Sequence, residues 1–267
     1  MRQQAKQVLK KVHLDGVARA LRRTSQRRLS SIGRILWYFK RRSGRFDNEL
    51  INGYLAAHEI RKLHIGCGSN VRDGWLNADL FPWSSSILHL DATSPFPIGE
   101  EKLDYIFSEH MIEHVAYSEG ALMLSECYRT LRENGKIRIS TPDLKFLIDL
   151  YKSEKTDLQK EYVKCAADRI IRVPPGYGDT FVINNFVRAW GHKFIYDEKT
   201  LRASLEKAGF SAVTRHELNE SDDETLRNLE NENRMAPGFL RLETFTLEAT
   251  KLGTTPARSS RRSMRQP

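Results

Sequence analysis

The sequence has few cysteines and no long apolar run. Its three cysteines, Cys67, Cys127 and Cys165, lie far apart and form no CxxC or Cys/His pair, so we expect neither a disulfide framework nor a structural zinc site. The apolar run at residues 35–39 is too short for a signal-peptide core or a membrane span. These absences favour a reducing, cytoplasmic location, and a length of 267 residues favours one main domain.

Acidic residues are almost missing from both ends of the chain. Residues 1–46 hold 14 Lys and Arg against Asp15 alone, and residues 251–267 hold 5 with no acid. Residues 47–250 therefore carry 24 basic against 33 acidic side chains, although the whole chain has a formal charge of +9. A groove in this acidic middle would not attract phosphates, which argues against a nucleic-acid enzyme.

The basic N-terminal segment, residues 1–46, has apolar residues at helical spacing between Lys and Arg, which predicts a basic amphipathic helical extension. Such a segment suits the anionic inner face of a membrane or an acidic partner. A solvated extension, a helix packed on the acidic core and an organellar transit peptide are the alternatives. The small, polar and basic residues 253–267 predict a disordered tail.

Short apolar runs alternate with helical patterns after residue 60, which predicts an α/β fold with a doubly wound, mostly parallel, Rossmann-like sheet. The predicted strands are residues 63–66, 75–80, 87–91, 103–108, 136–140, 210–214 and 242–250. Residues 121–131 and 198–208 predict helices, and residues 144–190 are predicted to be mostly helical with a loop at 173–178.

A glycine pair follows the first predicted strand. Gly66 and Gly68 permit a sharp turn beneath a ligand, and Asp79 ends the next apolar run, where a carboxylate can accept hydrogen bonds from ribose hydroxyls. A dinucleotide fingerprint would have a third glycine where Val71 stands and an acid roughly 20 residues on, whereas Asp79 follows Gly66 by 13. The spacing favours a nucleoside cofactor that has no pyrophosphate.

Residues 61–250 resemble the class I S-adenosylmethionine-dependent methyltransferases, in particular the type-11-like subgroup often associated with bacterial surface-glycan synthesis. The motifs that carry the resemblance are LHIGCG at 63–68, GWLNAD at 74–79, LDYIFSEHMIEH at 103–114, RTLRENGKIRI at 129–139 and HKFIYD at 192–197. The resemblance implies a methyltransferase domain at 47–252 and S-adenosylmethionine as cofactor. It further implies a small-molecule or glycan-type acceptor, with a hydroxyl as the methylated group, and makes residues 144–197 a helical insertion on the acceptor side.

The same resemblance implies roles for individual residues. Gly66, Cys67 and Gly68 would pass beneath the methionine and ribose parts of the cofactor, and Asp79 would hold the ribose. The remaining cofactor-binding residues would be Leu80 or Phe81 against the adenine face, Asp91 and Ala92 at the adenine edge, and Ser108. Two positions depart from the family pattern, His64 in place of an acid and Asn70 in place of a third glycine, so the contacts with the methionine end are expected to differ.

Three residues are candidate general bases for a hydroxyl acceptor: His110, His192 and Asp143. His110 also begins the pattern His-x-x-Glu-His with Glu113 and His114, which on a long helix would indicate a zinc hydrolase. Because the pattern directly follows a predicted strand, we favour methyl transfer and predict no metal. A methyltransferase fold that only binds ligand, docked to a membrane or partner, is the other alternative.

Overall fold

The computed structural model of the protein describes residues 45–152, 154–171 and 178–253. Nearly all of the predicted N-terminal extension 1–46, the tail after residue 253 and most of the predicted loop 173–178 lie outside the described residues. In the part of the chain that is described, no helix is both long and apolar enough to cross a membrane.

The core of the fold is one seven-stranded sheet in the order β3-β2-β1-β4-β5-β7-β6. Strands β1 to β5 run parallel to one another, and β7 runs antiparallel to its two neighbours, β5 and β6. The strands are β1 (Lys62–Ile65), β2 (Leu76–Asp79), β3 (Leu88–His89), β4 (Leu103–Glu109), β5 (Leu131–Pro142), β6 (Ser211–His216) and β7 (Thr244–Thr250). The predicted mostly parallel, Rossmann-like fold is confirmed.

Seven α-helices accompany the sheet within the described ranges. They are α1 (Arg45–Ala57), α2 (Tyr117–Thr130), α3 (Leu144–Leu150), α4 (Asp157–Ala166), α5 (Asp179–Arg188), α6 (Glu198–Lys207) and α7 (Phe239–Glu243). Side-chain caps fix several of their starts: Asp143 accepts from the amide of Lys145 at α3, and Asp197 accepts from that of Thr200 at α6, both at 2.8 Å.

Element boundaries differ from the prediction at several places. Strand β3 is only two residues long, and the helix predicted to reach Leu131 ends at Thr130. Strand β5 is 12 residues long and extends beyond both ends of the predicted strand, and its residues from Lys136 to Pro142 pair with β7. Helix α7 occupies the start of the segment predicted as the last strand. Helix α1 was not predicted, and it contributes Ile51 and Tyr54 to the core.

The two faces of the sheet differ in chemistry. One face is apolar and packs against α1, α2 and α6 through residues such as Ile65, Ile106, Leu124 and Leu205. The side chains on the other face include His64, Phe107 and Arg138, which stand side by side on β1, β4 and β5. Because Arg138 cannot be buried against aliphatic side chains alone, this face requires a polar covering.

The polar face is covered by residues 217–234, a segment that contains only two short 3-10 turns. Leu226 and Leu229 pack on Trp75 and Phe107. Asp223 accepts hydrogen bonds from the ammonium of Lys136 at 2.8 Å and the hydroxyl of Tyr105 at 3.0 Å.

Arg138 makes the largest number of hydrogen bonds between the described residues of the sheet and residues 217–234. Its guanidinium is fully buried and binds Glu230 through Nε at 2.7 Å and Nη2 at 3.0 Å, and Glu248 through Nη1 at 2.5 Å. The same guanidinium donates to the carbonyls of Glu217 and Glu220. A buried ion that loses one such partner is strongly destabilising.

The helical segment after β5 forms a second, smaller core. Phe146, Tyr162, Val182 and Phe186 from α3, α4 and α5 pack together with Phe239 of α7. The predicted helical character of residues 144–190 is therefore present in the described part of this segment. Its packing places it against the end of the sheet where β5 and β7 meet.

We expect Glu230→Ala to lower the free energy of unfolding by about 3–5 kcal/mol, because it leaves the buried Arg138 without its bidentate partner. The matched control is Glu232→Ala, two residues away, where a partly exposed carboxylate pairs with Arg241 at 2.6 Å. Removal of that surface pair should cost less than about 1 kcal/mol. Urea denaturation followed by circular dichroism measures both, and equal losses would contradict this account of the Arg138 contacts.

Candidate functional site

A cavity of about 500 Å³ lies at the carboxyl ends of the central parallel strands. This is the edge where ligands bind in open α/β sheets. The residues that line the cavity come from the ends of β1 and β2, the turns after β1, β2, β3 and β4, the first turn of α2 and the loop before α6. They are Ile65, Gly66, Asp79, Leu80, Phe81, Leu90, Asp91, Ala92, Thr93, His110, Met111, His114, Val115, Glu119 and Lys193.

Gly66 forms the floor of the cavity at the turn after β1. Its φ of 71° lies in the left-handed region, and a Cβ atom there would lie 2.4 Å from Cγ and 2.8 Å from Cβ of Met111. The turn therefore requires glycine for two independent reasons, backbone conformation and space.

Asp79 ends β2 and holds the turn in place. Its Oδ2 accepts from the amide of Gly68 and its Oδ1 from the amide of Phe81, each at 2.8 Å. A carboxylate has about four acceptor sites, so both oxygens can still accept hydrogen bonds from a ligand. The predicted ribose-binding carboxylate lies at the cavity wall.

Asp91 and Ala92 lie further along the same wall. Asp91 accepts from the amide of Thr93 at 2.9 Å and from its hydroxyl at 2.7 Å, and these hydrogen bonds lower the pKa of Asp91. The carboxylate is thus ionised and fixed in orientation. Leu80 and Phe81 line the rim with exposed apolar surface, and Phe81 is 80% exposed, which suits a planar ring that would cover them.

Three predicted cofactor residues do not line the cavity. Cys67 is buried, and burial and the charge of Asp79 raise the pKa of its thiol to about 12. Gly68 acts through its amide on Asp79. Ser108 is buried beside Ile65 in the sheet, and its hydroxyl has no hydrogen-bond partner among the described residues.

The two departures from the family pattern lie outside the cavity lining. His64 is buried on the polar face of the sheet, where its Nδ1 lies 3.3 Å from Oδ1 of Asn77 and its ring lies 5.0 Å from that of Phe107. Burial lowers the pKa of His64 to about 3, so the ring is neutral. Asn70 donates to Glu109 at 3.4 Å and ties the glycine turn to the end of β4.

His110 marks the point where β4 ends. Its φ of 48° is left-handed, which turns the chain out of the strand, and its amide donates to the carbonyl of Ser140 at 2.8 Å. Its Nε2 lies 2.7 Å from the hydroxyl oxygen of Thr244. Burial lowers the pKa of His110 well below its usual value, so a neutral imidazole lines the cavity.

The 3-10 turn Ile112–His114 places Glu113 behind the cavity wall. Glu113 is fully buried, and burial raises its pKa to about 8. Its Oε2 accepts from the hydroxyl of Thr141 at 3.2 Å, and its Oε1 lies 3.5 Å from Nδ1 of His110 and 3.8 Å from Nε2 of His114. The pattern His-x-x-Glu-His is thus compact, but it spans a strand end and a single turn instead of the long helix of a zinc hydrolase.

His192 does not line the cavity, although it lies next to a residue that does. Its ring is 5.0 Å from that of His114, at 74°. The left-handed residues Trp190 (φ 59°) and Gly191 (φ 85°) turn the chain after α5 and bring His192 to this place. Glu113, His114 and His192 each offer a ligand atom, and these three atoms lie within 4.8 Å of one another.

Asp143 is also outside the cavity lining. Its side chain caps α3, and its amide donates to the carbonyl of Glu243 at 2.8 Å. Burial raises the pKa of Asp143. In the structure this candidate base therefore caps a helix and does not contact the cavity.

Sequence reasoning gave Thr93, Lys193 and Glu119 no role in the site, and it named His114 only as a zinc ligand of the hydrolase alternative. Lys193 and Glu119 pair at 3.3 Å at the cavity wall. The spacing of His114 from His110 was visible in the sequence, and Thr93 follows Asp91 at the spacing of an Asx turn. No local pattern indicates Lys193, which reaches the site through the tertiary packing.

Part of the chain is similar to a known protein family. Residues 73–139, about a quarter of the chain, match the profile of a family described as a methyltransferase domain. No functionally curated protein was found to match the chain. The match covers β2 to β5 and includes Asp79, Asp91, His110 and His114. Over these residues the chain is similar to a methyltransferase domain.

Similar solved structures include three from different organisms. An S-adenosylmethionine-dependent methyltransferase from Archaeoglobus fulgidus has 18% identity and a TM-score of 0.42, with 72% of this chain and 87% of that chain covered. A possible histamine N-methyltransferase from Thermotoga maritima has 15% identity and a TM-score of 0.40, with 82% and 96% covered.

The third is phosphoethanolamine N-methyltransferase 2 from Haemonchus contortus in complex with S-adenosyl-L-methionine, with 15% identity, a TM-score of 0.40, and 73% and 49% covered. With TM-scores below 0.5, these similarities carry no argument of their own.

We expect Gly66→Ala to weaken binding of S-adenosylhomocysteine at least tenfold, because the new methyl group meets Met111 and the backbone leaves its left-handed conformation. The conformational cost alone is about 1–2 kcal/mol. Gly53→Ala is the control, since a Cβ atom there meets nothing within 4 Å and should stabilise α1 by about 1 kcal/mol. Calorimetric titration measures the affinities, and unchanged binding by Gly66→Ala would contradict the assigned turn.

Proposed function

We propose that the protein transfers a methyl group from S-adenosylmethionine to a hydroxyl of a small-molecule or glycan-type acceptor. The observation that carries the proposal is the continuity of the cavity. Gly66, Asp79 and Asp91 line one part of it, and His110 and His114 line another. One space can therefore hold a nucleoside cofactor and an acceptor side by side.

The residues present fit the cofactor. The turn at Gly66 leaves space that a Cβ atom would fill, and Asp79 retains acceptor sites for ribose hydroxyls. Asp91 would accept a hydrogen bond from the exocyclic amino group of the adenine, and the amide of Ala92 would donate to a ring nitrogen. Leu80 and Phe81 would cover the face of the base. When bound, S-adenosylmethionine supplies an electrophilic methyl group on a sulfonium.

The chain's own contribution to such a displacement is positioning. Holding two reactants in a near-attack arrangement can supply about 7–11 kcal/mol of the barrier. His110 and His114 are at the wall where the acceptor would lie, and the lowered pKa of each leaves a neutral imidazole that can accept a proton or a hydrogen bond. Residues 144–197, which contain His192 and Lys193, would form the acceptor side.

A hydroxyl acceptor of glycan type is supported by the polar character of this end of the cavity, where Glu119, Lys193 and two histidines provide hydrogen-bond partners. The composition of residues 1–46 supports a peripheral position at an anionic membrane surface. Both features would suit an acceptor that is assembled near a membrane.

The test is calorimetric binding of S-adenosylhomocysteine combined with transfer of a labelled methyl group to a panel of hydroxyl compounds and glycans. Asp79→Asn should weaken binding by roughly 10- to 150-fold, because a hydrogen bond to a charged group contributes about 1.5–3 kcal/mol. Asp73→Asn is the matched control, since Asp73 is exposed, lies in the connection between β1 and β2 and does not line the cavity.

Absence of binding by the intact protein would overturn the proposal. Binding without transfer to any acceptor would instead favour the alternative of a methyltransferase fold that serves as a binding protein. A transfer product identified by mass spectrometry would give the methylated atom directly.

A further inference from the structure

The side chains of Glu113, His114 and His192 form a cluster beside the cavity. Its residues come from two separate parts of the chain, the 3-10 turn after β4 and the loop after α5. Their ligand atoms lie within 4.8 Å of one another. The cluster is adjacent to the cavity, because His114 belongs both to it and to the cavity lining.

The first feature is the buried carboxylate oxygen Oε1 of Glu113. Within the described part of the chain it has no hydrogen-bond partner, although Oε2 of the same group is bonded to Thr141. An unsatisfied buried polar atom costs about 1–3 kcal/mol, and more when it is charged. A cation bound at Oε1 would remove that cost.

The second feature is the orientation of the imidazoles. Nδ1 of His192 lies 2.6 Å from the carbonyl oxygen of Phe186, which fixes a proton on Nδ1 and leaves the lone pair on Nε2. Nε2 of His114 lies 3.8 Å from Oε1 of Glu113, so this ring nitrogen faces the carboxylate. Metal-binding histidines are held in this way, with the second ring nitrogen bonded to a backbone carbonyl or a carboxylate.

The third feature is the spacing of the two rings. Imidazoles on adjacent corners of a tetrahedral site have centroids about 5 Å apart, since each nitrogen lies about 2.0–2.1 Å from the metal. The centroids of His114 and His192 are 5.0 Å apart.

We propose that Glu113, His114 and His192 bind one divalent transition-metal ion. Two nitrogen donors and one oxygen donor favour Zn²⁺, Co²⁺ or Mn²⁺ over Mg²⁺ and Ca²⁺, which prefer oxygen ligands. Three protein ligands leave a coordination position open. Because His114 is shared with the cavity, this open position faces the acceptor end.

The metal site indicates which class of acceptor the protein methylates. This part of the inference rests on the proposed function. An acceptor oxygen bound at the open position is polarised by the ion and held in place. The acceptor is therefore a hydroxyl compound able to coordinate a divalent cation, such as a sugar with vicinal oxygens. His110 is outside the three-ligand cluster.

The experiment titrates the full-length protein, freed of metal with a chelator, with Zn²⁺, Mn²⁺ and Mg²⁺ separately. We expect one equivalent of Zn²⁺ per chain, with Mg²⁺ binding at least tenfold more weakly. His114→Ala and His192→Ala should each weaken Zn²⁺ binding at least tenfold, whereas His89→Ala, an exposed histidine away from the cluster, should not. Visible absorbance after Co²⁺ loading reports nitrogen ligation independently.

Two results would overturn the site: no stoichiometric binding by the intact protein, or undiminished binding by both histidine variants. Thermal melts identify a variant that fails to fold, and the second variant then decides. The metal-binding result is separate from the cofactor result, because S-adenosylhomocysteine affinity is measured in its own titration. Loss of methyl transfer on chelation with unchanged cofactor affinity supports the role at the acceptor, and transfer unaffected by metal removal would overturn it.

Discussion

The guanidinium of Arg138 lies fully buried at the centre of the sheet, and the covering of one whole face is arranged around it. Its five donors reach the carboxylates of Glu230 and Glu248 and two backbone carbonyls of residues 217–220. A buried charge of this kind is tolerated only when its donors are satisfied. The conformation of the irregular segment 217–234 therefore depends on one side chain of β5.

This constraint reaches the cofactor end of the cavity through a short series of contacts. Asn231 follows Glu230 directly, and its amide donates to Glu109 at 3.0 Å. Glu109 also accepts from the side-chain amide of Asn70. The backbone amide of Asn70 donates to the carbonyl of Cys67 at 2.7 Å and closes the glycine turn. The turn at Gly66 is thus held from behind by the covering of the polar face.

The turn at Gly66 and the carboxylate of Asp79 could be predicted from the sequence, because they depend on residues that are close together along the chain. Gly66 and Asp79 end adjacent strands, so their meeting follows from strand order alone. Residues 217–234 have no helical or strand periodicity, and Arg138 in an apolar strand gives no sign of the partner that buries it. His192 meets His114 only because Trp190 and Gly191 adopt left-handed conformations, which depend on tertiary packing.

The buried thiol of Cys67 has a chemical consequence for a site of this kind. A sulfonium methyl donor is an alkylating agent, and the strongest nucleophile that a protein can place beside it is a thiolate. Cys67 directly follows Gly66, yet burial and the charge of Asp79 raise the pKa of its thiol to about 12, and the thiol is directed to the carbonyl of Gly68 at 3.7 Å. Burial first, and the charge of Asp79 second, therefore keep this thiol protonated and weakly nucleophilic.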